Sequence, residues 1–315
     1  MSRGTVLVPG ITGFIGTHIA LAFLEVGYTV KATSCTAAKA EDWIARFPAH
    51  KAHCHYAVVV DIAAPGAFDD PVKGYNIIAH IRPLQPNRIS SSPPSAAPRT
   101  SSSRQKTNPE SSASSSPRRW PPRSSQPGSR LAGSSQTYDE AKVATIPPVV
   151  YRASKALAET TFWDHIEEEK PTWVGTTIGP CATLGPPIQP TASIYKDGVP
   201  ATGPPVYVAA SDVALAHVRA VELDATKNQR YLLIGGSHDT RVHNIFLAPE
   251  QIVDIVQRRF PELRANLPPV DLWKVWPSRF KFDTSKAQWE LGITFTPLVV
   301  DTVTVMLSLA KQLNT

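Results

Sequence analysis

Thr5-Val6-Leu7-Val8-Pro9-Gly10-Ile11-Thr12-Gly13-Phe14-Ile15-Gly16 is the stretch that decides how this chain folds. A short apolar run, Thr5 to Val8, leads into three glycines spaced three apart, and from Phe14 to Val26 apolar residues recur at helical spacing. Each glycine has a mechanical task. Gly10 permits the tight turn from strand to helix, Gly13 lets backbone amides approach a pyrophosphate at the positive helix N-terminus, and Gly16 lets the helix pack close to the strands. Tyr28 to Thr33 supplies a β-branched second strand, so β-α-β closes within about 30 residues. The stretch predicts a Rossmann-type α/β fold, a doubly wound parallel sheet that binds a dinucleotide.

Further along, Val58, Val59 and Val60 read as a third strand and Ile77-Ile78-Ala79 as a fourth, buried because it is continuously apolar. At about Ile81 this texture stops. The 53 residues from Arg82 to Ser134 hold 16 Ser and 10 Pro with scarcely any Val, Ile or Leu, so no face can bury enough apolar area to offset chain entropy, and disorder is expected. Globular texture returns at Tyr138, with a helix over Tyr151 to Glu169, a strand around Trp173 to Ile178, and helices near Asp212 to Glu222 and Gln251 to Arg259. Phe282 to Leu313 again reads as helical. The expected organisation is a dinucleotide domain from 1–81 and 135–180, the low-complexity segment 82–134, and a lobe from 181–315 with short returns to the first domain.

A chain of 315 residues can bury a large core. Cys35, Cys54 and Cys181 form no paired framework, and the N-terminus carries no basic stretch, long apolar core or small-residue cleavage site, so a reduced, cytoplasmic setting is expected. Ile19 to Val30, interrupted by Glu25 and Gly27, falls short of the roughly 20 apolar residues a membrane span needs. The net charge of +6 is local: Arg82 to Ser134 contributes eight Arg and one Lys against Glu110 alone, which leaves the rest near −2. Nucleic acid is therefore not the expected partner, and a monomer or homodimer is. His50, His53, Cys54 and His55 do not make a metal site, since neighbours on an extended segment point to opposite faces and no second cluster answers them.

An acid ending the second strand would bind the ribose 2′-hydroxyl of NAD, and none occurs between Lys31 and Ala40. Lys31 and Lys39 are available for a 2′-phosphate, which favours NADP(H) over NAD(H). Asp61, beside Ile62, is positioned to bond the adenine edge, or else to cap a helix.

Tyr and Lys four apart on a helix lie one turn apart on one face, where the ammonium can lower the phenol from its reference near 10. The pattern occurs twice. Tyr138 to Lys142 is soon followed by Pro147 and Pro148, which leave little room for a helix. Tyr151-Arg-Ala-Ser-Lys155 opens a long amphipathic stretch and is the functional candidate. The chemistry it implies is hydride transfer to a carbonyl while Tyr151 protonates the developing alkoxide and Lys155 holds the ribose hydroxyls; a third hydroxyl is needed to polarise the carbonyl.

Together these residues resemble the extended short-chain dehydrogenase/reductases, most closely the dihydroflavonol-reductase-like branch of NADPH-dependent ketone and aldehyde reductases. Val6 to Gly16, Asp61 to Gly74, Tyr151 to Glu159, Ser211 to His217 and Asp283 to Lys286 carry the likeness. It implies a small substrate-binding lobe late in the chain, a small-molecule carbonyl substrate, and a cofactor site that includes Gly10, Gly13, Phe14, Ile15 and Gly16, then Lys31, Asp61 and Ile62, and finally Tyr151, Lys155 and Pro180, the last beside the nicotinamide. Pro9 replaces the usual Thr or Ser, and Gly179 the usual Asn. Over Arg82 to Ser134 the resemblance fails: a helix, the central fifth strand and the Ser or Thr hydroxyl are missing, although the length is right. That points to a reading-frame or splice difference, because GC-rich coding sequence read out of frame yields Ser, Pro and Arg. Ser111, Ser112, Ser114, Ser115 and Ser116 lie near where the hydroxyl belongs, but no strand aims them. Two alternatives stay open: a degenerate reductase that binds dinucleotide without turnover, and a sugar-nucleotide epimerase or dehydratase-like enzyme. A basic arm for RNA ranks below both, since Trp120 is its lone aromatic platform.

Overall fold

The computed structural model describes residues 3–62, 64, 66–81, 102–104, 147–188, 206–235, 249–267 and 282–313. Strand β1 (Thr5–Pro9) leads through the glycine turn into α1 (Phe14–Glu25), and β2 (Thr29–Ser34), α2 (Ala37–Arg46) and β3 (Cys54–Val58) follow. Val6, Leu7 and Val8 are wholly buried, as a central strand covered on both faces requires. The sequence expectation for β3 is corrected. The strand begins at Cys54, paired with Val30, and ends at Val58, while Val60 stands 81% exposed. The register set by β2, and not the apolar run, decides where the strand lies.

After β4 (Ile77–Ile78) and β5 (Ser102–Arg104), α3 (Pro147–Glu169) leads to β6 (Val174–Pro180), and β9 (Gln229–Leu233) completes a sheet ordered β3-β2-β1-β4-β5-β6-β9. All neighbours pair in parallel except β5, which is antiparallel to both β4 and β6. Two expectations change here. The sheet is mixed at its centre, and three residues of the segment read as disordered hold the slot of the fifth strand; the remainder of 82–134 lies outside the described residues. Pro147 and Pro148 open α3, because proline at a helix start loses no intrahelical bond.

Strands β7 (Ala182–Leu184) and β8 (Tyr207–Ala209) pair as a small second sheet, and β8 runs directly into α4 (Ala210–Glu222). Helix α4 packs on α1, so Ile19, Ala20 and Phe23 share one core with Val213, Ala214 and Val218. Fully burying a side chain such as Phe23 or Ile19 contributes about 1.5–3 kcal/mol. Leu7, Val59 and Phe68 form a second cluster. Helices α5 (Pro249–Arg259), α6 (Ser285–Leu291) and α7 (Leu298–Leu313) follow, with Gly292 in the left-handed region ending α6. No helix among the described residues is long and apolar enough to cross a membrane.

Candidate cofactor and active site

The C-terminal ends of β1 and β2 and the start of α1 meet at the glycine turn. Gly10, at φ +73°, and Ile11 donate their N–H groups to Thr33 O at 3.1 and 3.4 Å, and Gly13 N–H returns to Gly10 O at 3.0 Å. Intrahelical bonding starts at Thr17, whose N–H reaches Gly13 O. The N–H groups of Phe14, Ile15 and Gly16 find no backbone acceptor among the described residues, Gly13 supplies no side-chain cap, and the first turn holds no acid. Three donors at a positive helix end are thus left without a backbone acceptor, with Phe14 and Ile15 half-buried and Gly16 buried. A Cβ on Gly16 would stand 2.2 Å from Gly10 O, so the turn itself is what this glycine accommodates. Thr17 locks the same turn by donating to Ile11 O at 2.7 Å, and buried Trp43 of α2 donates to Thr17 Oγ1 at 3.2 Å.

The two lysines sit differently. Lys31 is mid-strand opposite Leu7, about 10 Å short of the β2 end at about 3.3 Å per residue, and its ammonium lies 4.9 Å from the Tyr75 ring centroid. Lys39 lies in the first turn of α2, where its N–H meets the Thr36 cap and its Nζ lies 3.7 Å from Cys35 Sγ, just beyond β2. Of the pair, Lys39 stands at the strand end where a 2′-phosphate would be met. Asp61 is exposed just past β3, and Ile62 packs on the Leu7 cluster.

Helix α3 runs antiparallel to β6. Glu159 touches Thr177, a Cβ on Gly175 would meet Phe162 at 2.2 Å, and His165 stacks on Trp173 at 5.9 Å, so ascending helix numbers meet descending strand numbers. Extended backwards, eight residues of helix span about 12 Å and three of strand about 10 Å, which brings Tyr151 and Lys155 to the Pro180 end of β6. Of Tyr151 only the helical backbone is described; Lys155 is half-buried. Glu159 accepts from Arg230 Nε at 2.5 Å, Arg230 Nη2 at 3.1 Å, Thr177 Oγ1 at 3.0 Å and Trp163 Nε1 at 3.5 Å.

The segment after β6 is tied to both helices of the core. His18 of α1 donates Nε2–H to Pro186 O at 3.0 Å and meets Phe14 edge-on, while burial pushes its imidazole down toward neutrality. Asp212 of α4 accepts from Thr296 N–H and Oγ1 at 2.7 and 2.8 Å, which offsets the burial that pushes its carboxyl up. Asp301 lies near it, 4% exposed, with Oδ2 unpartnered among the described residues; burial and the Asp212 charge push it up to about 6. His217 is a core histidine, donating Nδ1–H to Val213 O and pushed down to about 4 by burial.

One sheet edge therefore gathers the glycine turn, Lys39, Asp61, Pro180 and the start of α3, and leaves Lys31 apart. Sequence reading missed Glu159 with Arg230, and Asp212 with Thr296; no local pattern joins residues 71 and 84 apart, although Glu159 does fall one turn beyond Lys155. Tyr138, Lys142 and Ser111 to Ser116 lie outside the described residues. No group of three or more His, Cys, Asp or Glu could hold a metal ion among the described residues; His50 and His53 lie in a 3₁₀ turn and Cys54 begins β3.

No family model matches the chain. It is 29% identical over 352 residues to the Aspergillus niger ketoreductase azaE, across 97% of this chain and 98% of that protein. An oxidoreductase of Schizosaccharomyces pombe is 30% identical over 315 residues, 90% of this chain and 91% of its own length. Gre2 of Candida albicans, solved in complex with NADPH, superposes with a TM-score of 0.68 at 20% identity, covering 98% of this chain and 99% of that one.

Proposed function

This chain belongs to the extended short-chain dehydrogenase/reductases, on their ketone- and aldehyde-reducing branch, and from that premise we propose that it reduces a small ketone or aldehyde with NADPH. The observation that carries the reading is the trio of unpartnered N–H groups at Phe14, Ile15 and Gly16, on the sheet edge that also receives Pro180 and the start of α3. These donors, a turn tight enough to admit only glycine at position 16, and the lack of an acid from Lys31 to Ala40 fit a dinucleotide carrying a 2′-phosphate. Lys39 is the better-situated cation for that phosphate. The NADPH bound by Gre2 and the ketoreductase activity in the name of azaE support the same direction.

When bound, NADPH supplies the hydride for the carbonyl carbon. Tyr151 gives its phenolic proton to the oxygen as negative charge develops there. Lys155, one turn along α3, keeps the phenol acidic through its positive charge and holds the ribose hydroxyls. Pro180, at the end of β6, lines the nicotinamide side and excludes water. Residues 181–188 and 206–209, with α5 and the α7 helix it packs against, shape the substrate lobe.

The test is NADPH oxidation by the purified full chain against a panel of ketones and aldehydes, with Tyr151→Phe as control. General acid catalysis contributes about 10²–10⁴-fold, so the variant should lose at least a hundredfold in kcat. Turnover unchanged in Tyr151→Phe overturns the mechanism. A second reading, dinucleotide binding without turnover, is favoured by β5: the slot from which a polarising hydroxyl would come holds Ser102–Arg104 in antiparallel pairing. NADPH binding with no oxidation across the panel selects it.

A further inference from the structure

The Glu159 carboxylate fastens α3 to two strands at once. Thr177 of β6 and Arg230 of β9 are register partners, both donate to it, and Arg230 does so through a two-pronged guanidinium contact. The two side chains are only 22% and 19% exposed, so water competes weakly for the pair. A fork-shaped contact of this kind fixes orientation as well as distance, which a point charge such as Lys would not do. Glu159 lies four residues past Lys155 and eight past Tyr151, and so sits one and two turns along the same helix face.

We propose that Glu159 and Arg230 are positioning residues of the reaction, whose paired contact sets the roll of α3 and thereby aligns Tyr151 and Lys155 with the Pro180 end of β6. The inference rests on the reading of Tyr151 and Lys155 given above. Side-chain tips lie about 5–6 Å from a helix axis, so a roll of about 10° carries them about 1 Å. A misplacement of that size can cost roughly a hundredfold in rate. Phe162 and Trp173, packed at 6.0 Å between ring centroids, secure the far end of α3. An aromatic contact there resists separation, but it leaves rotation about the axis to the polar fork.

The experiment uses the full chain as Glu159→Gln, Arg230→Lys and the double variant. Glu159→Gln keeps length and an acceptor but loses charge; Arg230→Lys keeps charge but loses the fork. Two quantities are read on each: the pH at which Tyr151 ionises, taken from tyrosinate absorbance by subtracting the matching Tyr151→Phe titration, and kcat with KM for the best carbonyl of the panel. Positioning predicts an upward move of the Tyr151 ionisation by at least about half a pH unit, as the Lys155 charge shifts away. It also predicts a fall in kcat of about tenfold with KM held within about twofold. The double variant should be no worse than the poorer single, because the two groups act as one contact. A purely structural pair would lower the melting temperature and leave ionisation and kcat at parental values, which overturns the proposal. Because Arg230→Lys keeps the charge balance, it carries the test if Glu159→Gln fails to fold. Absence of turnover in the parent, with the Tyr151 ionisation still moving in the variants, refutes the proposed function and upholds the positioning. Turnover in the parent with neither quantity moving does the reverse.

Discussion

Substituting each glycine of the Gly10, Gly13 and Gly16 turn by alanine should separate three physical roles that the spacing alone cannot distinguish. At Gly16 the new Cβ would stand 2.2 Å from Gly10 O and 3.0 Å from Gly10 C, both backbone atoms held by the turn's own hydrogen bonds. Reaching ordinary contact requires an opening of about 1.2 Å, which must come from the first turn of α1 moving off the strands. Overpacking costs about 1–3 kcal/mol, and this case belongs at the upper end, about 3 kcal/mol, or roughly 6–12 °C in Tm. The displaced turn also carries the three N–H groups without a backbone acceptor, so NADPH affinity should fall at least tenfold. At Gly10 nothing lies within 4 Å and the strain is conformational, φ +73°, costing about 1–2 kcal/mol. At Gly13 the Cβ would meet Gly10 O at 3.3 Å, so stability should stay within about 1 kcal/mol of the parent while affinity drops, since the methyl stands where an anion approaches. The assays are thermal melts of the ligand-free protein and NADPH titration by fluorescence. A Gly16→Ala protein that melts and binds like the parent would refute the close-approach argument.

Three further outcomes follow from other parts of the molecule. Asp301 is raised from 3.8 to about 6, so the native state keeps a proton that the unfolded chain releases. The resulting stability, about 3 kcal/mol, is complete below about pH 4 and lost as pH rises through 6; urea midpoints across that window should flatten in Asp301→Asn. Gly175→Ala would place a Cβ 2.2 Å from the tip of the Phe162 ring, which is wedged against Trp163 and Trp173, and should destabilise by about 1–3 kcal/mol, partly relieved in the Phe162→Leu double variant. Lys39→Ala should weaken NADPH binding at least fivefold with NADH unaffected, whereas Lys31→Ala should leave the ratio of the two cofactors unchanged; equal effects of the two substitutions would contradict their placement.

How much of this was legible beforehand depended on how local the physics is. Strand, turn and α1 lie within 25 residues and are governed by neighbours, so Thr5 to Glu25 reads almost to the residue. Helix α2 goes unread although Ala40, Trp43 and Ile44 give it an apolar face on the core, because the helix is short and its remaining positions are polar or alanine. The apolar run places β3 too far toward Val60, because hydrophobicity marks what can be buried while pairing with β2 decides what is. Strand β5 gives no signal, since Ser102–Arg104 joins the sheet through backbone pairing. At the site, the turn and the Tyr151–Lys155 spacing were readable, and Lys31 and Lys39 could be told apart only once the sheet had fixed which strand end each approaches. The clamp at Glu159 and the Asp212 to Thr296 tie connect distant segments and have no local expression at all.

The three-residue strand β5 has a mechanical meaning of its own. It is the one strand joining β4 to β6 among the described residues, so within them β3-β2-β1-β4 and β6-β9 are two panels joined through β5, with α1 packed on α4 as the brace across the join. A dinucleotide would rest its phosphates on one panel and its nicotinamide on the other, acting as a strut. The ligand would then add its own stiffness across the join, and melting temperature should climb with NADPH concentration in the manner of linked binding.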